Sequence, residues 1–352
     1  LPLSRGLGDV YKRQLNKFSS RNLINTSVEN IPVLIKNQNN LLPLKPKSNS
    51  VINLQFGNDK GSIFNNYLNK YKDINSVKIQ DIDENELNDI VDNYETIIVS
   101  LHMKSNTPWE NMNKKFSSTD LEMLKIINKH NKKILVSFTN PYMLNQLNLN
   151  SYNSILVGFQ NNQEFQKTIA QQIYGAKSVQ GILPVTINES FREGNGIILD
   201  NINILSYGDP KSVGVDVIKL SKIDSIIKYA IDNEMTPGAQ ILVAKNSKII
   251  YEKSFGKLRY NENLNVNNNT IYDLASLTKI LVTTPIVMKL VEEGVISLET
   301  RLKEIIPRYK DSNKAEISIK ELLSGNASLQ AWIPFYKLTL DVNSKPLSLI
   351  HI

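Results

Sequence analysis

The sequence predicts an α/β chain, in which a mostly parallel-sheet α/β sandwich is followed by the N-terminal part of an α+β domain. Three observations carry this reading. Through the first half, strand-like apolar runs alternate with helical stretches, the pattern of a parallel sheet covered on both faces. After about residue 210 the pattern changes to an amphipathic helix followed by a hairpin. The length of 352 residues and an ordinary apolar content of 41% fit two domains that can each bury a core.

The elements follow in order. Residues 1–14 (LPLSRGLGDVYKRQ) show neither helical nor strand periodicity and resemble translated adapter sequence. They are read as a non-native leader, with a poorly ordered native terminus as the alternative. They lack the basic start, apolar stretch and small-residue cleavage site of a signal peptide. Strands are expected at 51–54, 97–101, 134–138 and 155–159, and their near-uniform hydrophobicity implies burial on both faces. Helices are expected at 84–93, 119–130 and 163–174, the second opened by capping residues in 118–122 (STDLE). Residues 15–210 form the first domain, and 211–219 a linker. The second domain runs from 220 to 345 and reads as truncated. Residues 346–352 are read as a second non-native tail, so the chain is expected to be an internal fragment of a longer protein.

Composition narrows the function classes. Net charge is +7, but lysines are interleaved with acids and no basic stripe carries stacking aromatics, so nucleic-acid binding is not indicated. No apolar run is long enough to span a membrane. Cysteine is absent, which excludes a disulfide scaffold and leaves the compartment undecided. His102 and His130 are isolated, and His351 lies in the suspect tail, so no transition-metal site is expected. His102 could face a crevice at a strand end, although a structural role is the plainer reading. No G-x-G-x-x-G or Walker lysine motif appears, and no cofactor is expected.

The tetrad S-x-x-K occurs three times, as Ser225–Lys228, Ser254–Lys257 and Ser276–Lys279. Chance alone supplies such matches, so context must choose. Ser225 lies on the amphipathic helix 220–233, where it reads as a surface position. Ser254 lies on a strand, which sends i and i+3 to opposite faces. Ser276 opens a helical segment, where i and i+3 share a face and the amine can reach the hydroxyl. A lysine with a lowered pKa can take a serine proton, and backbone N–H groups at a helix start can hold an oxyanion. On local grounds an ordinary N-cap role for Ser276 stays open.

The flanks of Ser276 resemble the serine β-lactamase-like family, in the branch of the class C enzymes and penicillin-binding D-alanyl-D-alanine peptidases. The amphipathic helix 220–233 leads to Pro237-Gly238-Ala239, a hairpin over 240–255 and Gly256. Beyond the tetrad come 288–294 (MKLVEEG), Ile296-Ser297-Leu298 and Ile306-Pro307. This resemblance implies Ser276 as nucleophile and Lys279 as its base. Gly325 stands where that family commonly has histidine, and Ser328 where it has glycine. The family's Tyr-x-Asn motif and late Lys/His-x-Gly strand are not found. Tyr309 and Tyr336 read as structural aromatics. Pro285 falls inside the helical pattern, which predicts a kink or a restart at Thr283/Thr284 with Pro285 in the first turn.

The first half resembles the C-terminal domain of glycoside hydrolase family 3, of β-N-acetylhexosaminidase type. Its entry is 27–37 (SVENIPVLIKN) with 40–44 (NLLPL), and its end is 181–186 (GILPVT), matching a G-x-LPV strand. In that family the carboxylate nucleophile sits on a preceding barrel. Glu189 and Glu193 are possible acids by position, but read as surface glutamates.

Together the two resemblances imply a fragment of a bifunctional hydrolase, part glycosidase and part serine acyl hydrolase, acting on glycan or peptidoglycan-derived material through a Ser276 acyl-enzyme. An extracytoplasmic location, periplasmic or secreted, rests on the resemblance alone. The isolated chain is expected to be inactive. The alternatives are an esterase or transesterase on the same fold, and a non-catalytic pseudoenzyme that binds wall polymers.

Overall fold

The apolar runs of the first half become the centre of a six-stranded sheet. The structure, a computed structural model, describes residues 18–45, 50–57, 61–103, 115–330, 333, 334, 337, 339 and 340. The expected leader at 1–14, the tail at 346–352, Tyr336 and His351 lie outside the described residues. The chain divides into two compact units, Leu1–Asn268 and Asn269–Ile352.

In the first unit, helix α1 (Phe18–Glu29) precedes strand β1 (Val33–Asn37). Strand β2 (Val51–Phe56), helix α2 (Ser62–Leu68), strand β3 (Asn75–Lys78) and helix α3 (Glu84–Asn93) follow. Then come β4 (Thr96–Leu101), α4 (Ser118–Ile127), β5 (Lys133–Ser137), β6 (Ser154–Val157) and α5 (Gln163–Ile173). Among the described residues the sheet order is β1-β6-β5-β4-β2-β3. All pairs are parallel except β1 with β6, which places an antiparallel strand at one edge.

The two-residue period of a strand sorts the apolar side chains to the two faces. Ile52, Leu54, Phe56, Ile97, Val99, Leu101, Leu135, Ile155 and Val157 point to one side, where Leu87 of α3 and Met123, Leu124 and Ile127 of α4 cover them. Val51, Ile98, Ile134, Val136 and Leu156 point to the other, under Phe64 and Leu68 of α2 and Phe165, Ile169 and Ile173 of α5. Every residue of β2, β4, β5 and β6 is buried, as their uniform hydrophobicity predicts. Helix α4 is opened by Ser117 rather than by Ser118. The Ser117 hydroxyl accepts from Asp120 N at 3.0 Å, and the Asp120 carboxylate accepts from Ser117 N at 3.1 Å, a reciprocal cap.

One buried charge sits in this core. The Lys133 side chain at the start of β5 is almost fully enclosed. Its amine donates to the carbonyl oxygens of Asn128, at 3.1 Å, and His130, just past the end of α4. A cation there also complements the negative end of the helix dipole. Burial lowers its pKa below the ordinary 10.5, and the Lys36 ammonium lowers it further. The unfolded chain therefore holds more protons in the window below 10.5, and this lysine makes stability rise with pH through that window. Buried tyrosines such as Tyr152, with pKa raised by burial, act the opposite way at higher pH. The difference between wild type and Lys133→Met isolates the lysine. Urea midpoints should show wild type rising relative to the variant as pH climbs toward 10.5; a wild type that falls relative to the variant would refute the account.

The segment 181–186, expected as a G-x-LPV strand, is irregular. Pro184 removes a ladder donor, and the segment is tied instead by Leu183 N to Asn195 O, 2.8 Å, and Gly194 N to Leu183 O, 2.9 Å. Strand β7 (Ser206–Tyr207) then follows, and helix α6 (Val217–Leu220) leads into helix α7 (Lys222–Asp232). Strands β8 (Gly238–Lys245) and β9 (Lys248–Gly256) form the expected hairpin. Its turn residues Asn246 and Ser247 both have positive φ, 51° and 58°, which suits the right-handed twist of the strands. Strand β7 pairs in parallel with β9, so the sheet order is β7-β9-β8.

Candidate active site

The three S-x-x-K tetrads separate cleanly. Ser225 and Lys228 lie exposed on α7. The Ser254 hydroxyl donates to Asn268 Oδ1 at 2.7 Å and the Lys257 amine to Asn263 Oδ1 at 2.9 Å, so these two are engaged elsewhere. In the second unit the Lys279 amine donates to Ser276 Oγ at 3.4 Å. This is a long hydrogen bond, between two side chains on the surface of the described chain.

Local sequence explains how they meet. Ser276 lies inside a 3-10 turn, Ala275–Leu277, so it is not an N-cap. The Ala275 N–H is held by Asp273 Oδ1 at 2.8 Å. Ala275 itself has φ of 43°, a left-handed conformation that costs a residue with a Cβ about 1–2 kcal/mol. The residue before the candidate nucleophile is therefore strained. From Lys279 to Thr283 the chain widens into a π-helical turn, and helix α8 (Thr284–Glu292) begins with Pro285 in its first turn, the expected restart. Proline has no N–H and its ring crowds the carbonyl four residues back; the wider turn accommodates both. The Thr284 N–H and its hydroxyl, at 2.9 Å, both donate to the Lys279 carbonyl, which fixes the lysine's backbone.

Helix α9 (Leu302–Ile305) and helix α10 (Ile319–Ser324) complete the unit's described helices. Ser318 caps α10, with its hydroxyl accepting from Glu321 N at 3.2 Å. Gly325, in the position of the family's histidine, ends α10 in the left-handed region with φ of 72°. Asn326 N then closes on Glu321 O at 2.9 Å. Ser328, in the position of the family's glycine, has φ of 51°. The backbone keeps a glycine-like conformation with a serine in it. Ser328→Gly should therefore raise stability by about 0.5–1 kcal/mol, the left-handed strain less the entropy of glycine in the unfolded chain. A lower thermal midpoint for the variant would contradict this.

The remaining candidates take structural places. The His102 ring is fully buried, donates from Nδ1 to Asn161 Oδ1 at 3.1 Å, and stacks on Phe138 with centroids 4.7 Å apart. His130 donates from Nε2 to Tyr94 O at 2.7 Å. Glu189 and Glu193 are exposed in the loop after 181–186. Among the described residues no group of three or more His, Asp or Glu side chains could hold a metal ion, and no helix is long and apolar enough to cross a membrane.

Residues 32–211, just over half of the chain, match the model of the glycosyl hydrolase family 3 C-terminal domain. The chain belongs to that family. Residues 223–345 match the model named Beta-lactamase, and Ser276 and Lys279 fall within this match. The chain thus joins a family 3 domain to a β-lactamase-like segment, and both families are hydrolases. A protein of Salmonella enteritidis PT4 named "Putative D-alanyl-D-alanine carboxypeptidase" is 32% identical over 127 residues, covering 34% of this chain and 29% of that protein. Its Salmonella newport counterpart matches over the same shares. The chain therefore spans under a third of the length of these curated relatives. Among solved structures, the beta-glucoside phosphorylase BglX has a TM-score of 0.39 at 16% identity, covering 49% of this chain and 32% of its own. A glycoside hydrolase family 3 beta-N-acetylglucosaminidase from Paenibacillus sp. gives 0.39 at 15% identity, covering 49% and 34%.

Proposed function

We propose that this chain serves a bifunctional, extracytoplasmic hydrolase acting on cell-wall or related glycans and peptides. The family 3 domain is a scaffold for a glycosidase of β-N-acetylhexosaminidase type. The second segment is a serine acyl hydrolase. Ser276 Oγ attacks a substrate carbonyl while its proton passes to the Lys279 amine. The carbon–leaving-group bond breaks, the proton goes to the departing amine or alkoxide, and water then hydrolyses the acyl-enzyme. The 3.4 Å contact between Lys279 Nζ and Ser276 Oγ carries this reading. It is supported by the match of the surrounding segment to a serine hydrolase family.

The test is labelling of the full-length gene product by a serine-directed acylating probe. Ser276→Ala should remove the label, and unchanged labelling would sink the assignment. The replacement of the family's histidine by Gly325 favours one second reading, a pseudoenzyme that binds wall polymers. That reading requires binding that survives Ser276→Ala, together with no turnover.

A further inference from the structure

The turn that carries Ser276 places its least favourable backbone immediately before the serine. Ala275 has φ of 43°, in the left-handed region. A Cβ opposes that conformation, and alanine has no polar group with which to offset the cost locally. Leu274 before it and Thr278 after the turn are both in the ordinary helical region. The left-handed geometry is therefore confined to one residue, and something outside that residue must hold it.

Asp273 does so. Its Oδ1 accepts from Ala275 N at 2.8 Å, the turn in which an aspartate side chain binds the backbone two residues on. A carboxylate acceptor makes this bond stronger than its neutral equivalents. The backbone adds a tie from Leu277 N to Leu274 O at 2.9 Å, which closes the 3-10 turn around Ser276. Asp273, Ala275 and Ser276 are all exposed, so no packed core fixes the turn in place of these bonds. The contact from the Lys279 amine to Ser276 Oγ is already long at 3.4 Å. A small rotation at Ala275 would carry the hydroxyl out of reach of that amine.

We infer that Asp273 is a positioning residue for Ser276: by holding the Ala275 N–H it keeps that residue left-handed, and so keeps the serine hydroxyl within reach of Lys279. This role rests on the reading of Ser276 as nucleophile. Among the described residues Asp273 makes no hydrogen bond to the Ser276 hydroxyl or the Lys279 amine, and it acts through the backbone between them. Glycine at 275 would adopt the same φ unaided. The carboxylate is needed because alanine stands there.

The test is the rate of acylation of the full-length gene product by the serine-directed probe, measured at saturating probe. Asp273→Ala should slow it by about 10²-fold, the cost of misplacing a reacting group by about 1 Å. Asp273→Asn keeps an oxygen that can accept the Ala275 N–H and should stay within about tenfold of wild type. Adding Ala275→Gly to Asp273→Ala should recover at least about tenfold of the lost rate, because the left-handed backbone then needs no support. Asp311→Ala, at an exposed acid elsewhere in the same unit, should leave the rate unchanged. Thermal midpoints of the variants separate lost positioning from lost folding. Should Asp273→Ala lower the midpoint, recovery of rate in the double variant still decides. A wild-type rate in Asp273→Ala, no recovery in the double variant, or an equal loss in Asp311→Ala overturns the proposal. Label that survives Ser276→Ala would instead sink the nucleophile assignment and the positioning role with it, so that variant tells the two failures apart.

Discussion

Lys279→Met should slow acylation at Ser276 by about 10²–10⁴-fold, the range for removal of a positioned general base. The expectation follows from geometry: Lys279 Nζ is the group that reaches Ser276 Oγ, and its backbone is pinned by Thr284. Methionine keeps the length and apolar stem of lysine and removes only the amine. The π-helical turn and the restart at Pro285 should therefore persist. The measurement is the rate of probe incorporation into the full-length gene product, read beside Ser276→Ala. A rate within about threefold of wild type would assign the proton to another group and leave Lys279 as a surface charge.

Gly57→Ala should lower stability by about 2–5 kcal/mol. Gly57 follows β2 with φ of 105°, a conformation that a residue with a Cβ rarely adopts. A Cβ built there would lie 2.3 Å from the His102 carbonyl oxygen, which is backbone and cannot swing aside. His102 is itself held in place: its N–H donates to Phe56 O at 2.8 Å, and its ring packs on Phe138. The strain therefore falls on the ends of β2 and β4, two paired neighbours inside the sheet. Urea unfolding should show a lower midpoint with an unchanged slope. A midpoint near wild type would mean that the β2 end yields more readily than its hydrogen bonding suggests.

The readable parts of the sequence were those where one physical signal dominated. Residues 97–101 and 134–138 are apolar but for Ser100 and Ser137 because they are buried on both faces, and that signature survives in one dimension. Helix α4 announces itself through its capping residues, although the cap falls on Ser117, one residue before the expected segment. Strand β3 does not: its four residues, NSVK, lie at the sheet edge, none of them fully buried, so no hydrophobic pattern marks it. Strand β1 is buried at its start but antiparallel, and its pairing with β6 depends on a partner more than a hundred residues away. The strand expected at 181–186 failed for a local reason, the missing donor of Pro184. At the candidate site, the residue types and spacing of Ser276 and Lys279 were legible, as was the disruption at Pro285. The positive φ of Ala275 was not, since alanine carries no signal for a left-handed backbone and only the surrounding turn imposes it. Ser328 is similar, and there the family's glycine was the clue.

Strand β7 is two residues long, yet it decides where this polypeptide can be divided. Its pairing holds through Ser206 N to Ser247 O, 3.0 Å, and Gly208 N to Ile249 O, 3.1 Å, along the outer side of β9. A polypeptide begun at residue 220, where the second half starts by sequence pattern, would leave that side of β9 bare. Unpaired strand edges recruit other chains. A preparation begun at residue 204 should stay dispersed where one begun at 220 self-associates, so solubility would turn on residues 204–219, the stretch that carries β7.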